Sequence, residues 1–351
     1  MTRISPLHGL SALALAALST AALAGPVGYG AATTGGGSKT AVNVATLAAA
    51  QAAIDAYSGS GGLVLNYTGV FNYATITDVC AQWQKAAQTL QIKDKSDITI
   101  KGANGSKANF GIRIVSDSKN IIVQNMTIGL LQGGEAADAI SIEGDSSGKP
   151  YNIWVDHNTI FSSLTHCSGA GDASWDGAID TKKGAYNITY SYNYIHDHQK
   201  VALNGYSDSD TANDAMRATY HHNRFENVQS RLPLQRRGKT HIYNNYFNNV
   251  SVSGINVRMG GISLIESNYF ENVANPVTSR DSSAIGYWDL RNNYVGSGIT
   301  WTSPGSPGAN ATSWATTQAY GSTGYSYSVT PAADVKAKVI ATAGAGTNLA
   351  Q

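Results

Sequence analysis

The stretch HIYNNYFNNVSVSGINVRMGGISLIESNYFENV, His241 to Val273, holds one short pattern twice. An Asn is followed by one spacer and then by an apolar residue that closes a β-like run: Asn245-Tyr246-Phe247, and 23 residues later Asn268-Tyr269-Phe270. The pattern also stands at Asn158-Thr159-Ile160, Asn193-Tyr194-Ile195, Asn223-Arg224-Phe225 and Asn293-Tyr294-Val295. The last three intervals are 22, 23 and 25 residues, and the earlier two are 35 and 30, as expected where loops are inserted into a regular coil. Ile121 to Ile128 reads as an earlier coil with its Asn shifted by one. A period near 22 with short β runs marks a solenoid. A leucine-rich repeat would carry Leu at fixed positions with helical stretches, and a propeller needs a longer period. A parallel β-helix fits, with about three short strands per coil joined by bends.

An Asn at the same bend of successive coils can stack and hydrogen-bond along the axis, so these asparagines are read as structural. Coils touch only their neighbours, so both ends need covers. Thr46 precedes a helical reading over Leu47 to Tyr57, with Gly59 to stop it, and near the other end Thr330-Pro331 opens a short helix that Gly344 closes. Residues 296–329, rich in Ser, Gly, Thr and Tyr, read as a polar loop packed on the solenoid. No linker is visible. The expected fold is all-β: a single-domain right-handed parallel β-helix over residues 25–351, with a short N-terminal capping helix and long loops.

Composition points the same way. Charged residues make up 13% of the 351, about half the usual share, and Tyr outnumbers Phe by 19 to 6. That suits a secreted, polar, β-rich protein. Arg3, the Ala- and Leu-rich run Ser11 to Ala22, and the small-x-small site Ala22-Leu23-Ala24 read as a signal peptide over residues 1–24. Without Arg3 the 24 bases fall to 23, equal to the 23 acids. Such a chain lacks the net basic surface that nucleic-acid binding needs. No later apolar run is long enough to span a bilayer. Two cysteines, Cys80 and Cys167, in an exported chain are most simply a disulfide. Two buried thiols are the alternative.

Charge is uneven within this neutral total. Residues 134–181 hold eight acids against one base, Lys149, and residues 182–258 hold ten bases against five acids. Acid beside base suggests a metal site next to a cleft for a polyanion, with mixed surface charge as the plain alternative. In Asp176-Gly177-Ala178-Ile179-Asp180 two carboxylates stand four apart, which in a strand gives them one face. Asp138, in the similar run Asp138-Ala139-Ile140, would stack on them from the previous coil. Three carboxylates without His or Cys suit a hard cation, Ca²⁺ before Mg²⁺. The segment RLPLQR sets the guanidiniums of Arg231 and Arg236 on a proline-braced stretch, and such forks bind carboxylates in fixed geometry. Asp156-His157 and His221-His222 are read as structural, since neighbours in a strand face opposite ways.

Taken together, WVDHN (Trp154 to Asn158), DGAID (Asp176 to Asp180), YNYIHDHQKVALNG (Tyr192 to Gly205), RLPLQR and NPVTSR (Asn275 to Arg280) resemble the extracellular pectate lyases of polysaccharide lyase family 1. The likeness runs from about Ser38 to the C-terminus. It implies a right-handed parallel β-helix and Ca²⁺-dependent β-eliminative cleavage of polygalacturonate, in a secreted protein expected to be a monomer. By match to the family's motifs, Asp138, Asp176 and Asp180 look like Ca²⁺ ligands and Arg231 like the catalytic base. Lys200 and Arg236 look like binders of substrate carboxylates, as do Lys182 and Arg258. Cys80 and Cys167 fall where some members have a disulfide. Close relatives carry a further Asp where this chain has Ala136, and Glu135 stands beside that position. A guanidinium ordinarily titrates above pH 12, so an alkaline optimum is expected for such a base. The alternatives are a non-catalytic β-helix that binds acidic glycans, and a pectin lyase acting on methyl-esterified polymer. The latter should lack the calcium carboxylates. A hydrolase of the same polymer would need paired general acid and base, and no adjacent Asp-Asp is present.

Overall fold

The computed structural model describes residues 25–347; the expected signal peptide, residues 1–24, lies outside them. Three sheets of ten, nine and seven strands run along the molecule, and among the described strands pairing is parallel except where Ala309–Asn310 meets Val277–Ser279. From Lys119–Gln124 onward each coil gives one strand to each sheet. Lys239–Tyr243, Tyr246–Val250 and Ile255–Arg258 make one turn, and Ile262–Glu266, Tyr269–Val273 and Val277–Ser279 make the next. This is the parallel β-helix that the repeat implies.

The repeat has a clear physical basis. Its apolar residue points inward and stacks on its counterpart in the next coil: Phe225, Phe247 and Phe270 lie ring on ring, with centroids 5.2 and 4.7 Å apart. Its Asn, fully buried in every coil but the last, forms a ladder. The amides of Asn158, Asn193, Asn223, Asn245 and Asn268 each donate to the Oδ1 of the next Asn at 2.9–3.0 Å. Each Nδ2 donates back to a backbone carbonyl, as Asn245 does to Tyr220 O at 2.9 Å. Met126 takes the first rung, its amide donating to Asn158 Oδ1, which accounts for the shifted Asn125 in the earlier coil.

The residue just before each rung is left-handed, with φ of 49–57° at Asn125, His157, Tyr192, His222, Asn244, Ser267 and Asn292. This corrects one expectation. His157 is at a bend and not in a strand, so it does not oppose Asp156. Its Nδ1 lies 2.6 Å from Asp156 Oδ2. Asp156 also accepts from Ser191 Oγ and Gln124 Nε2. His221 and His222 likewise meet, Nδ1 to Nδ1, at 3.0 Å. Both pairs are buried.

Helix α1, Leu47–Ala56, covers the N-terminal end: Thr46 caps it by accepting from the Ala49 amide, and Ala50 and Ile54 are buried. A second helix, α2 (Val79–Trp83), carries Cys80, which is bonded to Cys167 with Cα atoms 5.4 Å apart. The C-terminal helix α3, Ala332–Thr342, differs from its expected place at the far end. It lies along the flank, where Val335 and Val339 pack on Tyr246 of the seven-stranded sheet. The far end is closed by the 296–329 loop, whose Trp314 sits 5.4 Å from Phe270. No helix among the described residues is long and apolar enough to cross a membrane.

Candidate active site

The bend between the seven- and nine-stranded sheets carries the chemistry. Asp180 lies in Ile179–Lys182, its side chain on the outer face of the nine-stranded sheet, in register with Ser141 and Leu203 of the neighbouring strands. Asp176 and Asp138 precede the strands Ile179–Lys182 and Ile140–Glu143 and are not part of them. The four-residue spacing therefore does not act through strand alternation. The approach to each strand, stapled from coil to coil, brings the acids together: Asp138 Oδ1 accepts from the Gly177 amide at 3.0 Å. Gly177 is required there, because a Cβ would fall 2.1 Å from Asp180 Oδ1. The three carboxylates offer oxygens that all lie within 4.8 Å of one another.

Lys182 is inside this cluster. Its Nζ is 2.6 Å from Asp138 Oδ2 and 3.1 Å from Asp180 Oδ2. Asp180 Oδ1 accepts from the Leu203 amide, while its buried Oδ2 has no partner with hydrogen-bond geometry. Burial first, and then Asp138, push the Asp176 and Asp180 carboxyls above the usual carboxylate range. For Lys182, burial works against the charge, but Asp180 and Asp138 outweigh it and hold the ammonium protonated. Crowded carboxylates whose charged forms are disfavoured are what a divalent cation relieves, and an all-oxygen donor set suits a hard one. The residues present fit Ca²⁺.

A cavity of about 540 Å³ opens over the acids, lined also by Glu135, Arg113 and Glu143. A second, of about 470 Å³, is lined by Lys200, Arg231, Arg236 and Arg258. Lys200 ends the strand Tyr194–Lys200, in register with Ser230. Arg231 follows Ser230 with φ of 67°, and buried Leu232 and Leu234 anchor the segment beyond it. Three of the four cations have acid partners. Lys200 Nζ is 3.2 Å from Glu135, Arg236 Nε is 2.7 Å from Asp208, and Arg258 is 3.5 Å from Asp281. Burial, then the charge of Arg236, bring the Arg258 guanidinium down to about 10. Among the described residues, Arg231 has no side-chain hydrogen bond or ion pair.

All eight site residues expected from the sequence thus fall on these two cavities or in the acid cluster beneath them. Lys182 is tied to the acids instead of lying in the basic cavity. Sequence reasoning missed Asp208. It stands in a polar loop, Tyr206 to Ala212, with no periodicity or motif to mark it.

Comparison with known proteins places this geometry. A family model described as pectate lyase matches residues 4–348. Pectate lyase 1 of Pectobacterium carotovorum is 46% identical over 306 residues, which cover 83% of this chain and 80% of that protein. Pectate lyase II of Xanthomonas campestris pv. campestris superposes with a TM-score of 0.92 at 74% identity, covering 93% of this chain and all of that one. A pectate lyase C variant solved in complex with pentagalacturonic acid gives 0.82 at 39% identity, covering 92% and 97% of the two chains. Pectate lyase C of Erwinia chrysanthemi, solved with Ca²⁺, gives 0.84 at 40% identity with the same coverage.

Proposed function

This chain belongs to the pectate lyase family and is a polysaccharide lyase, and we propose that it is secreted as a monomer and cleaves α-1,4-polygalacturonate by Ca²⁺-dependent β-elimination. The observation that carries the reading is the adjacency of two features. A carboxylate triad suited to a hard cation adjoins a cavity of four cations, in which Arg231 alone is unpaired among the described residues. The pentagalacturonic acid held by a pectate lyase C variant supports the substrate, and the Ca²⁺ in a second pectate lyase C structure supports the ion.

In the elimination, the C5 proton beside the uronate carboxylate is removed, C4=C5 forms, and the C4–O4 bond breaks with both its electrons going to oxygen. Asp138, Asp176 and Asp180 would hold Ca²⁺, which when bound would supply the positive charge that makes that proton more acidic. Arg231 takes the C5 proton in its neutral form, a guanidinium ion having no acceptor lone pair, and water protonates the departing O4; with no acid partner among the described residues, no carboxylate holds Arg231 in its charged form. Lys200 and Arg236 hold substrate carboxylates and stabilise the enolate-like charge as it develops. Lys182 and Arg258 extend this grip at the two edges. The test is polygalacturonate with Ca²⁺ or with chelator, followed by the ultraviolet absorbance of the unsaturated product. No absorbance with Ca²⁺, or reducing ends released without it, would reject the elimination.

A further inference from the structure

Arg236 is fixed at two points. Its Nε donates to Asp208 Oδ1 at 2.7 Å and its Nη1 to the Gly205 carbonyl at 3.0 Å. The other oxygen of Asp208, Oδ2, accepts from the Ser283 amide and hydroxyl, each at 3.0 Å, and from the Ser282 hydroxyl at 3.4 Å. One carboxylate therefore joins the base of the RLPLQR segment to a loop two coils away. A guanidinium has five N–H donors in one plane. Two are spent on Asp208 and Gly205, and three remain on a side chain that lines the cavity.

We propose that Asp208 is a positioning residue for Arg236: it fixes the guanidinium plane so that the remaining Nη donors face the cavity and meet a uronate carboxylate. This rests on the reading of Arg236 as a binder of substrate carboxylates. Two effects compete. The negative charge of Asp208 offsets part of the pull of Arg236 on an anion. Against that, Arg236 and Arg258 are direct partners on adjacent strands, and like charges so placed repel. Without Asp208, Arg236 would swing away from Arg258 and from the cavity, and a long side chain would lose its freedom only on binding. Positioning wins, because misplacing a binding group by about 1 Å can cost on the order of a hundredfold, more than partial screening of one charge among four. The Ser283 amide and Arg236 together outweigh the effect of burial and hold the Asp208 carboxyl down to about 2, so it is charged wherever the enzyme works.

The test is a double-mutant cycle on kcat/KM for polygalacturonate at saturating Ca²⁺. Asp208→Ala should lower it about 10- to 100-fold in the wild-type background and less than about threefold when Arg236→Ala is already present. Asp208→Asn, which keeps an Oδ1 acceptor, should recover most of the loss. An equal loss in both backgrounds assigns Asp208 to loop structure and overturns the proposal, as does no loss in either. If Arg236→Ala itself leaves kcat/KM unchanged, the substrate role of Arg236 is what fails, and the positioning role falls with it. Should Asp208→Ala not fold, Asp208→Val, which keeps bulk but offers Arg236 Nε no acceptor, decides in the same cycle: a loss confined to the wild-type background supports the proposal, and a parallel or absent loss overturns it.

Discussion

The ammonium of Lys182 stands 2.6 Å from Asp138, among the same oxygens that would hold a metal. It neutralises the acids of the free protein, and an incoming cation must displace it. Lys182→Met should therefore tighten Ca²⁺ binding without substrate by about tenfold, on the order of 1.4 kcal/mol for one displaced charge in a partly buried site. Calorimetric titration of Ca²⁺ into the two proteins measures this directly. Weaker binding in Lys182→Met would mean that the lysine organises the site and does not compete for it.

Asp180→Asn should weaken Ca²⁺ binding by removing one anionic ligand, and excess Ca²⁺ should partly restore turnover. Asp156→Asn should leave the calcium dependence unchanged but lower the melting temperature, since Asp156 is buried with three side-chain partners far from the cluster. Chelator should stop turnover with little effect on the fold, because the core of Ile, Val and Phe ladders contains no ligand to the ion. Equal calcium dependence in both variants would remove Asp180 from the site, and unfolding by chelator would make the ion structural.

Asn245→Ala tests the ladder. It leaves the buried amide of Asn223 and the Tyr220 carbonyl without their partners, at about 1–3 kcal/mol each. Denaturant unfolding should show a loss of several kcal/mol with turnover at low temperature largely kept. A loss below about 1 kcal/mol would mean that the ladder adds little to stability.

That ladder is also why the fold was legible in the sequence. An interior Asn bonds with the Asn above and below and with a strand carbonyl, so one residue type recurs at one spacing, and the apolar residue two positions on recurs with it. The metal cluster was legible for a different reason than the one first given. Asp176 lies outside the strand, and the three acids converge because Gly177 and the coil-to-coil bond to Asp138 shape the approach to it. The partnership of His157 with Asp156 was hidden because a left-handed residue breaks the alternation that strand logic assumes. Asp208 was hidden because a loop residue's partners are set by folding and leave no period.

Acid should destabilise the protein through its buried histidines. Burial, first among the causes, holds His198 and His222 neutral, each with its pKa lowered to about 3. The unfolded chain, with His near 6.5, takes up the protons first. The stabilising contribution is therefore complete above about pH 6.5 and is lost as pH falls from there toward 3, by up to a few kcal/mol per site. Melting temperatures should drop between pH 7 and pH 4, less steeply in His222→Gln. Parallel slopes would show that His222 takes no part.

Arg231→Lys tests the chemistry most directly. Lysine keeps the charge but loses the planar fork and replaces the titrating group. Arg231 has no acid partner among the described residues and so is not needed to balance one, and buried Leu232 and Leu234 hold the segment in place whichever side chain it carries. The variant should fold normally and still bind Ca²⁺ and oligogalacturonate, since the aspartates, Lys200 and Arg236 remain. Turnover should fall by about a thousandfold or more, the scale of losing a proton-transfer or transition-state group. The wild-type rate should rise well above neutral pH, and the residual rate of Arg231→Lys should follow a different curve. Near-normal turnover in Arg231→Lys, with Lys200→Ala or Arg236→Ala inactive, would move the base elsewhere and leave Arg231 to hold the substrate. The lyase assignment would stand, because it rests on the chain's membership of the family and not on which group takes the proton.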